Sequence, residues 1–298
     1  MTPDRIRVPD LKKLKPKRKI ESPEIDKPWG VCMGNNNLMY VTSRHKNSVV
    51  VIDYKVGVTK YVIGESGTMP SHGSCIYFNK PAGIAFDEDN QWLIGSSFLT
   101  KQSKTIPNFN FFLNFAVADK DNHRIQYISV NVQENLSYNQ QYDSSVRTYR
   151  LIRSVGREGD QNGCFSYPWG VAWNRVNKMV AIADSKNHRI QFLDQNGNFL
   201  TSYMCNFGPM QHNLKFSPRG LNFVSSKKMK NGHDCGIYDR LVCSDFDSHK
   251  LVVLTFQAGN VNGGTKIPQF EQALTVGSFG KSSGKFDRPQ GVMKTLRN

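Results

Sequence analysis

The chain has 298 residues and a net charge of +15, from 39 Lys+Arg against 24 Asp+Glu. With 38% apolar residues, including 18 Phe, 11 Tyr and 4 Trp, it is too rich in core-forming side chains to be disordered, and long enough for one large domain. No run approaches 18 uninterrupted apolar residues, so a membrane span is excluded, and the first 20 residues lack the apolar region of a secretory signal.

Residues 1–26 read as a basic tail or linker. Its first 20 positions hold Arg5, Arg7, Lys12, Lys13, Lys15, Lys17, Arg18 and Lys19 against Asp4 and Asp10, a net of +6 that leaves +9 for the rest. Such a tail is either a solvated linker or a nucleic-acid arm or nuclear-import signal. The charge on the body is more informative, because a folded surface must carry it.

From residue 27 onward one unit recurs. Its first half is Pro-x-Gly with alternating apolar residues: PWGVCM at 28–33, PAGIAF at 81–86, PWGVAW at 168–173, PRGLNF at 218–223 and PQGVMK at 289–294. The second half reads VTSRHKNSVVVID at 41–53, VADKDNHRIQYI at 117–128, IADSKNHRIQFLD at 182–194 and CSDFDSHKLVVL at 243–254. Both halves alternate and are rich in Val, Ile and Phe, as half-buried strands are. Asn196-Gly197 between two apolar runs predicts a hairpin. Units of about 40 residues, each a four-stranded antiparallel meander, predict propeller blades. In the second and fourth units the spacing lengthens between the first two strands, predicting inserted hairpin loops at 98–115 and 225–238. The Phe-rich first one is either a partner-binding loop or an artefact of sequence assembly.

The six cysteines are scattered, with no CxxC pair, and read as free thiols in a reducing compartment. No cofactor or metal is expected.

ADKDNHRIQ at 118–126, ADSKNHRIQFL at 183–193 and the Pro-x-Gly-Val starts resemble NHL repeats. The order of blade variants resembles the C-terminal propeller of the TRIM-NHL proteins, nearest their heterochronic, Brat-related, mRNA-repressing subgroup. The fold implied is all-β, an NHL-type β-propeller over 27–298. It is six-bladed in the family, with four complete repeats and the start of a fifth here, so the chain reads as a fragment incomplete at its C-terminus. The resemblance implies binding of short structured elements in mRNA 3′ untranslated regions, translational repression and action in the cytoplasm. Protein partners of mRNA repression would accompany it. In the first unit Ser43, Lys46, Asn47 and Ser48 stand where the motif has Asp, Asn, His and Arg.

The motif residues divide by role. Asp119, Asp184 and Asp245 are expected to accept amides of the following turn. With His123, His188, His249 and the Arg of the motif they would form a clamp inside each blade. The glycines of Pro-x-Gly should lie where inner strands converge on the axis. The loops before the first strand and after the second share one propeller face in a meander. That face collects Lys27, Arg44, Lys80, Lys120, Lys186, Arg219 and Arg288, with Tyr167 and Phe246 among them. Cations suit phosphates and aromatic rings suit splayed bases, so these nine residues are the candidate RNA-binding site. The alternative is a protein-interaction scaffold, the partner-binding domain of a TRIM-type ubiquitin ligase. No catalytic residue is expected, and ligase activity would need a RING domain that these residues do not contain.

Overall fold

The computed structural model describes residues 19–34, 37–66, 76–87, 110–133, 149–175, 177–205, 215–230, 233–258 and 267–292. Four antiparallel four-stranded sheets follow one another in chain order. Blade one comprises β1 (Pro28–Met33), β2 (Leu38–Ser43), β3 (Ser48–Asp53) and β4 (Val58–Ile63). A two-residue parallel pair, β5 (Glu65–Ser66) with β6 (Tyr77–Phe78), leads to blade two. That blade comprises β7 (Ile84–Asp87), β8 (Asn110–Asp119), β9 (Arg124–Gln133) and β10 (Tyr149–Val155). Blade three is β11 (Pro168–Asn174), β12 (Met179–Asp184), β13 (Arg189–Asp194) and β14 (Phe199–Tyr203). Blade four is β15 (Pro218–Lys230), β16 (His233–Asp245), β17 (Lys250–Ala258) and β18 (Pro268–Val276). The protein is an all-β propeller of four blades.

Each blade buries its alternating side chains against the next. Tyr40, Val49 and Val51 of blade one meet Phe86, Phe115 and Val117 of blade two. Tyr127 and Ile125 meet Val180 and Ile182 between blades two and three. Phe192 and Ala181 meet Leu221, Phe223 and Phe256 between blades three and four. On the other face of blade one, Val41, Val50 and Ile52 are covered by Ile20 and Ile25, so the described end of the basic tail packs on the first sheet.

At the axis the inner strands approach backbone to backbone. A Cβ on Gly83 would stand 2.6 Å from the Trp169 carbonyl oxygen and 2.9 Å from the Gly170 Cα. One on Gly220 would stand 2.6 Å from the Gln290 oxygen and 2.8 Å from the Gly291 Cα. The Gly83 amide donates to the Trp169 carbonyl at 2.6 Å, tying blade two to blade three. Pro-x-Gly is therefore the point of closest inter-blade approach, as its composition predicts.

Two details differ from the sequence expectations. The 225–238 insertion is no loop: β15 and β16 run on, paired from Ser225 with Asp239 to Lys230 with His233, so the meander grows outward as a two-stranded ribbon. In the other insertion, residues 110–115 are strand within β8, and 98–109 lie outside the described residues. The hairpin expected at Asn196-Gly197 joins β13 to β14; only Gly197 takes positive φ (83°), and the ladder slips a residue between Phe192 and Leu193, so the hairpin carries a bulge.

Candidate nucleic-acid interface

In blades two and three the motif Asp is the hub. Asp119 is fully buried; its Oδ1 accepts the Asn79 amide at 2.7 Å, and its Oδ2 accepts Asn122 Nδ2, Arg124 Nε and Gln126 Nε2 at 2.7–2.9 Å. Asp184 repeats this with the Ser166 amide, Asn187, Arg189 and Gln191. Asp119 and Asp184 accept an amide two residues before the motif Pro rather than one in the turn that follows, whereas Asp245 accepts the Ser217 amide directly before its Pro and is lowered by a backbone bond from Ser248 in the following turn. The carboxylate thus ties the incoming loop to the strand end and fixes the segment that carries Lys80, Tyr167 or Ser217. Burial pushes the Asp119 and Asp245 carboxyls above the usual range, against the pull of those amide bonds. Gln126 and Gln191, unremarked in the sequence reading, also donate to the Tyr77 and Cys164 carbonyls.

The histidine reaches across blades rather than within one. Tyr167 donates its amide to His123 Nδ1 at 3.3 Å, and Arg288 donates to His249 Nδ1 at 3.0 Å. His188 instead places Nδ1 2.8 Å from the Phe216 carbonyl. In blade one Asn47 does the same work, its Oδ1 accepting the Lys80 amide at 2.7 Å, while Ser43 Oγ replaces Asp and accepts the Asp26 amide at 2.8 Å. The atypical first unit therefore keeps the chemistry of the motif with smaller side chains.

These clasps hold the pre-proline residues in an unusual backbone. Lys27, Lys80, Tyr167 and Arg288 have φ of 48°, 50°, 51° and 46°, left-handed values that cost any residue with a Cβ. Sterics before proline disfavour helical conformations further.

The structure gathers six of the nine predicted residues around a ring that the sequence reading passed over. Trp169, the middle residue of its Pro-x-Gly, packs on Trp29 of blade one with centroids 4.5 Å apart. The Arg219 guanidinium lies 3.8 Å from the Trp169 centroid and 4.4 Å from that of Phe246. Arg44 lies 5.4 Å from Trp169 and 5.7 Å from Trp29; Lys120 Nζ lies 5.2 Å from Trp169 and 4.9 Å from Tyr167. Arg288 stands 5.6 Å from Phe246. Such contacts are favourable and strengthen as water is excluded. The β-bulge that follows Pro28, Pro168 and Pro218 shifts the ladder at the residues that present Trp29, Trp169 and Arg219 to this face.

Lys80 joins through Asp121, which accepts from its Nζ at 2.7 Å and also from Lys120. Burial lowers the Lys120 ammonium from its ordinary value; Asp121 opposes this, while Arg44 and Lys80 add repulsion. Lys27 and Lys186 are exposed in the same loops, tied there by backbone bonds from the Arg44 amide to Lys27 and from the Lys186 amide to Ser166. Among the described residues no group of three or more His, Cys, Asp or Glu could hold a metal ion, and no helix is long and apolar enough to cross a membrane.

Residues 165–191, spanning the third Pro-x-Gly and NHR, match the NHL repeat. No curated protein matches the sequence. The fold is similar to a streptogramin B lyase structure (11% identity, TM-score 0.44, 91% of this chain and 60% of that one). It is also similar to an auxiliary nutrient binding protein from Bacteroides ovatus (12% identity, TM-score 0.48, 92% and 55%) and to the RRP9 WD40 repeats (9%, 0.43, 79% and 50%). The chain thus spans between half and three-fifths of the length of these three structures. The chain contains an NHL repeat within a β-propeller, a fold that supports a role as an interaction scaffold.

Proposed function

We propose that the propeller binds RNA through the face built by Arg44, Lys80, Lys120, Arg219 and Arg288, with Lys27 and Lys186 at its margin. In this reading it acts without catalysis, as the mRNA-recognising part of a TRIM-NHL-type repressor in the cytoplasm. The observation that carries the reading is the convergence of cations from blades one, two and four and from the loop after β18 around the rings of Tyr167, Trp169 and Phe246, Arg44 and Arg219 being held by aromatic rings rather than by carboxylates.

The test is paired. Arg288→Glu should weaken binding of a short RNA stem-loop by about 1–3 kcal/mol, through lost phosphate contact and added repulsion. Its melting should stay within about 0.5 kcal/mol of the parent. Asp184→Ala should do the reverse, costing about 3–5 kcal/mol of stability by leaving buried Arg189 unpaired, with RNA affinity kept while the protein is folded. Unchanged RNA affinity in a cooperatively melting Arg288→Glu protein would remove this face from the site.

A further inference from the structure

The residue that closes the motif turn is left-handed in all four blades: Asn47, His123, His188 and His249 have φ of 52°, 53°, 57° and 55°. Asn and His are among the side chains enriched in that conformation. What the side chain then does differs by blade. Asn47 Oδ1 accepts the Lys80 amide at 2.7 Å, and a carboxamide oxygen stays an acceptor across the ordinary pH range. His123 and His249 accept the Tyr167 and Arg288 amides on Nδ1 at 3.3 and 3.0 Å, which a ring nitrogen can do only while it carries no proton. His188 is reversed. Its Nδ1 faces the Phe216 carbonyl at 2.8 Å, so that nitrogen is already a donor and keeps its bond when the ring becomes charged.

Each accepting ring has a carboxylate beside it. Glu158 Oε1 lies 3.9 Å from His123 Nε2, and Asp287 Oδ1 lies 3.6 Å from His249 Nδ1. The other charged groups nearby are Lys120, whose Nζ lies 4.9 Å from the centre of the Tyr167 ring that meets His123 edge-on, and Arg288 itself, with Asp247 and Lys250 of the His249 turn. His249 also meets the Phe279 ring, centroids 4.8 Å apart. Neither imidazole is sealed: 11% of the His123 side chain and 22% of the His249 side chain reach solvent. The clasped residues, Tyr167 and Arg288, have positive φ directly before a proline, a backbone that they would leave once their amides were released.

We propose that His123 and His249 are proton-sensitive positioning residues of the cationic face. Imidazole is the side chain that ordinarily changes charge between pH 5 and 8. In mild acid each ring takes a proton on Nδ1, gives up its amide and turns to its carboxylate, while the Asn47 and His188 bonds hold. Two of the four loops then loosen and two do not. This deepens the RNA reading and rests on it for the consequence, a face that holds RNA less well in mild acid.

The experiment uses the 298-residue chain, isotope-labelled at Lys, Tyr and Arg. Protection of the Lys80, Tyr167 and Arg288 amides against hydrogen exchange is read at pH 7.5 and pH 5.5, each corrected for the intrinsic exchange rate at that pH. Tyr167 and Arg288 should lose protection by about tenfold in acid, and Lys80, held by Asn47, should stay within about twofold. This comparison lies inside the parent protein, so it stands even if a variant fails to fold. The double variant His123→Asn, His249→Asn copies the blade-one clasp and should keep all three amides protected at both pH values. Affinity for a short RNA stem-loop, read on the same samples, should fall in acid by about threefold more in the parent than in the double variant. Equal loss at Lys80 would mean that acid loosens the whole propeller, and unchanged protection at Tyr167 and Arg288 would mean that the rings release nothing; either overturns the inference whatever RNA does. If protection falls as expected but both proteins lose RNA affinity alike, the positioning role is overturned while the RNA reading stands. If no RNA binds at either pH, the RNA reading fails and the amides alone decide the clasp.

Discussion

At Asp121 two of the site's cations meet a single carboxylate. Burial alone would raise this carboxyl, but hydrogen bonds and charge from Lys120 and Lys80 outweigh it and hold it below the usual range. A carboxyl depressed on folding contributes stability that is present above its unfolded value and lost as pH falls through its folded value. Asp121→Asn removes that contribution and leaves the buried Lys120 without its counter-charge. The variant should therefore melt below the parent at neutral pH, and the gap should close in acid, below about pH 4. Melting curves from pH 7 to pH 3 check this; a gap that stays constant would show that Asp121 acts by packing alone. Residue identity at this scale was only partly legible. Arg44, Lys120, Arg219 and Phe246 could be placed on one face because a meander fixes which loops share an end. Trp169 was passed over because Pro-x-Gly read as pure backbone geometry, and nothing in a linear pattern tells that a bulge re-aims its middle side chain.

At the level of strands, the Pro-x-Gly ladder sets how close the blades come. Adding a methyl at Gly83 drives it against the Trp169 carbonyl and the Gly170 Cα, backbone groups that cannot rotate away. Gly83→Ala should cost about 1–3 kcal/mol, measured by denaturant unfolding. Loss below 0.5 kcal/mol would mean that the blades can spread without penalty. The meander itself was readable because alternation of period two, broken by Asp and Gly turns, leaves few alternatives. The blade-joining histidines were not, since a loop His looks the same in sequence whichever blade receives it. A second signal went unread. Gly64, Gly156 and Gly277, with φ of 95°, 96° and 96°, seat the rings of Phe78, Phe165 and Phe286 just before each Pro. The nine-residue spacing of Gly156 to Phe165 and Gly277 to Phe286 recurs in the sequence, lengthened to fourteen from Gly64 to Phe78, and the pair marks where the chain passes from an outer strand back to the next inner one.

Across the molecule, the repeated strand–turn–strand unit places the same loop position on the same face four times. Charge accumulates there without any one repeat being unusual. Equivalent positions hold Lys27, Lys80, Tyr167 and Arg288, all in a left-handed backbone, and the amides of the last three are clasped by Asn47, His123 and His249. If this cationic face binds RNA phosphates, affinity must fall with salt as counterions are released, by about 0.7–0.9 in log K per log salt for each phosphate neutralised. The most direct measurement is the affinity of the 298-residue chain for a short RNA stem-loop across a salt series. The predicted result is a straight line with a slope of about −2 to −4, the value for three to five cations engaged together. A slope near zero, with binding intact, would contradict the account.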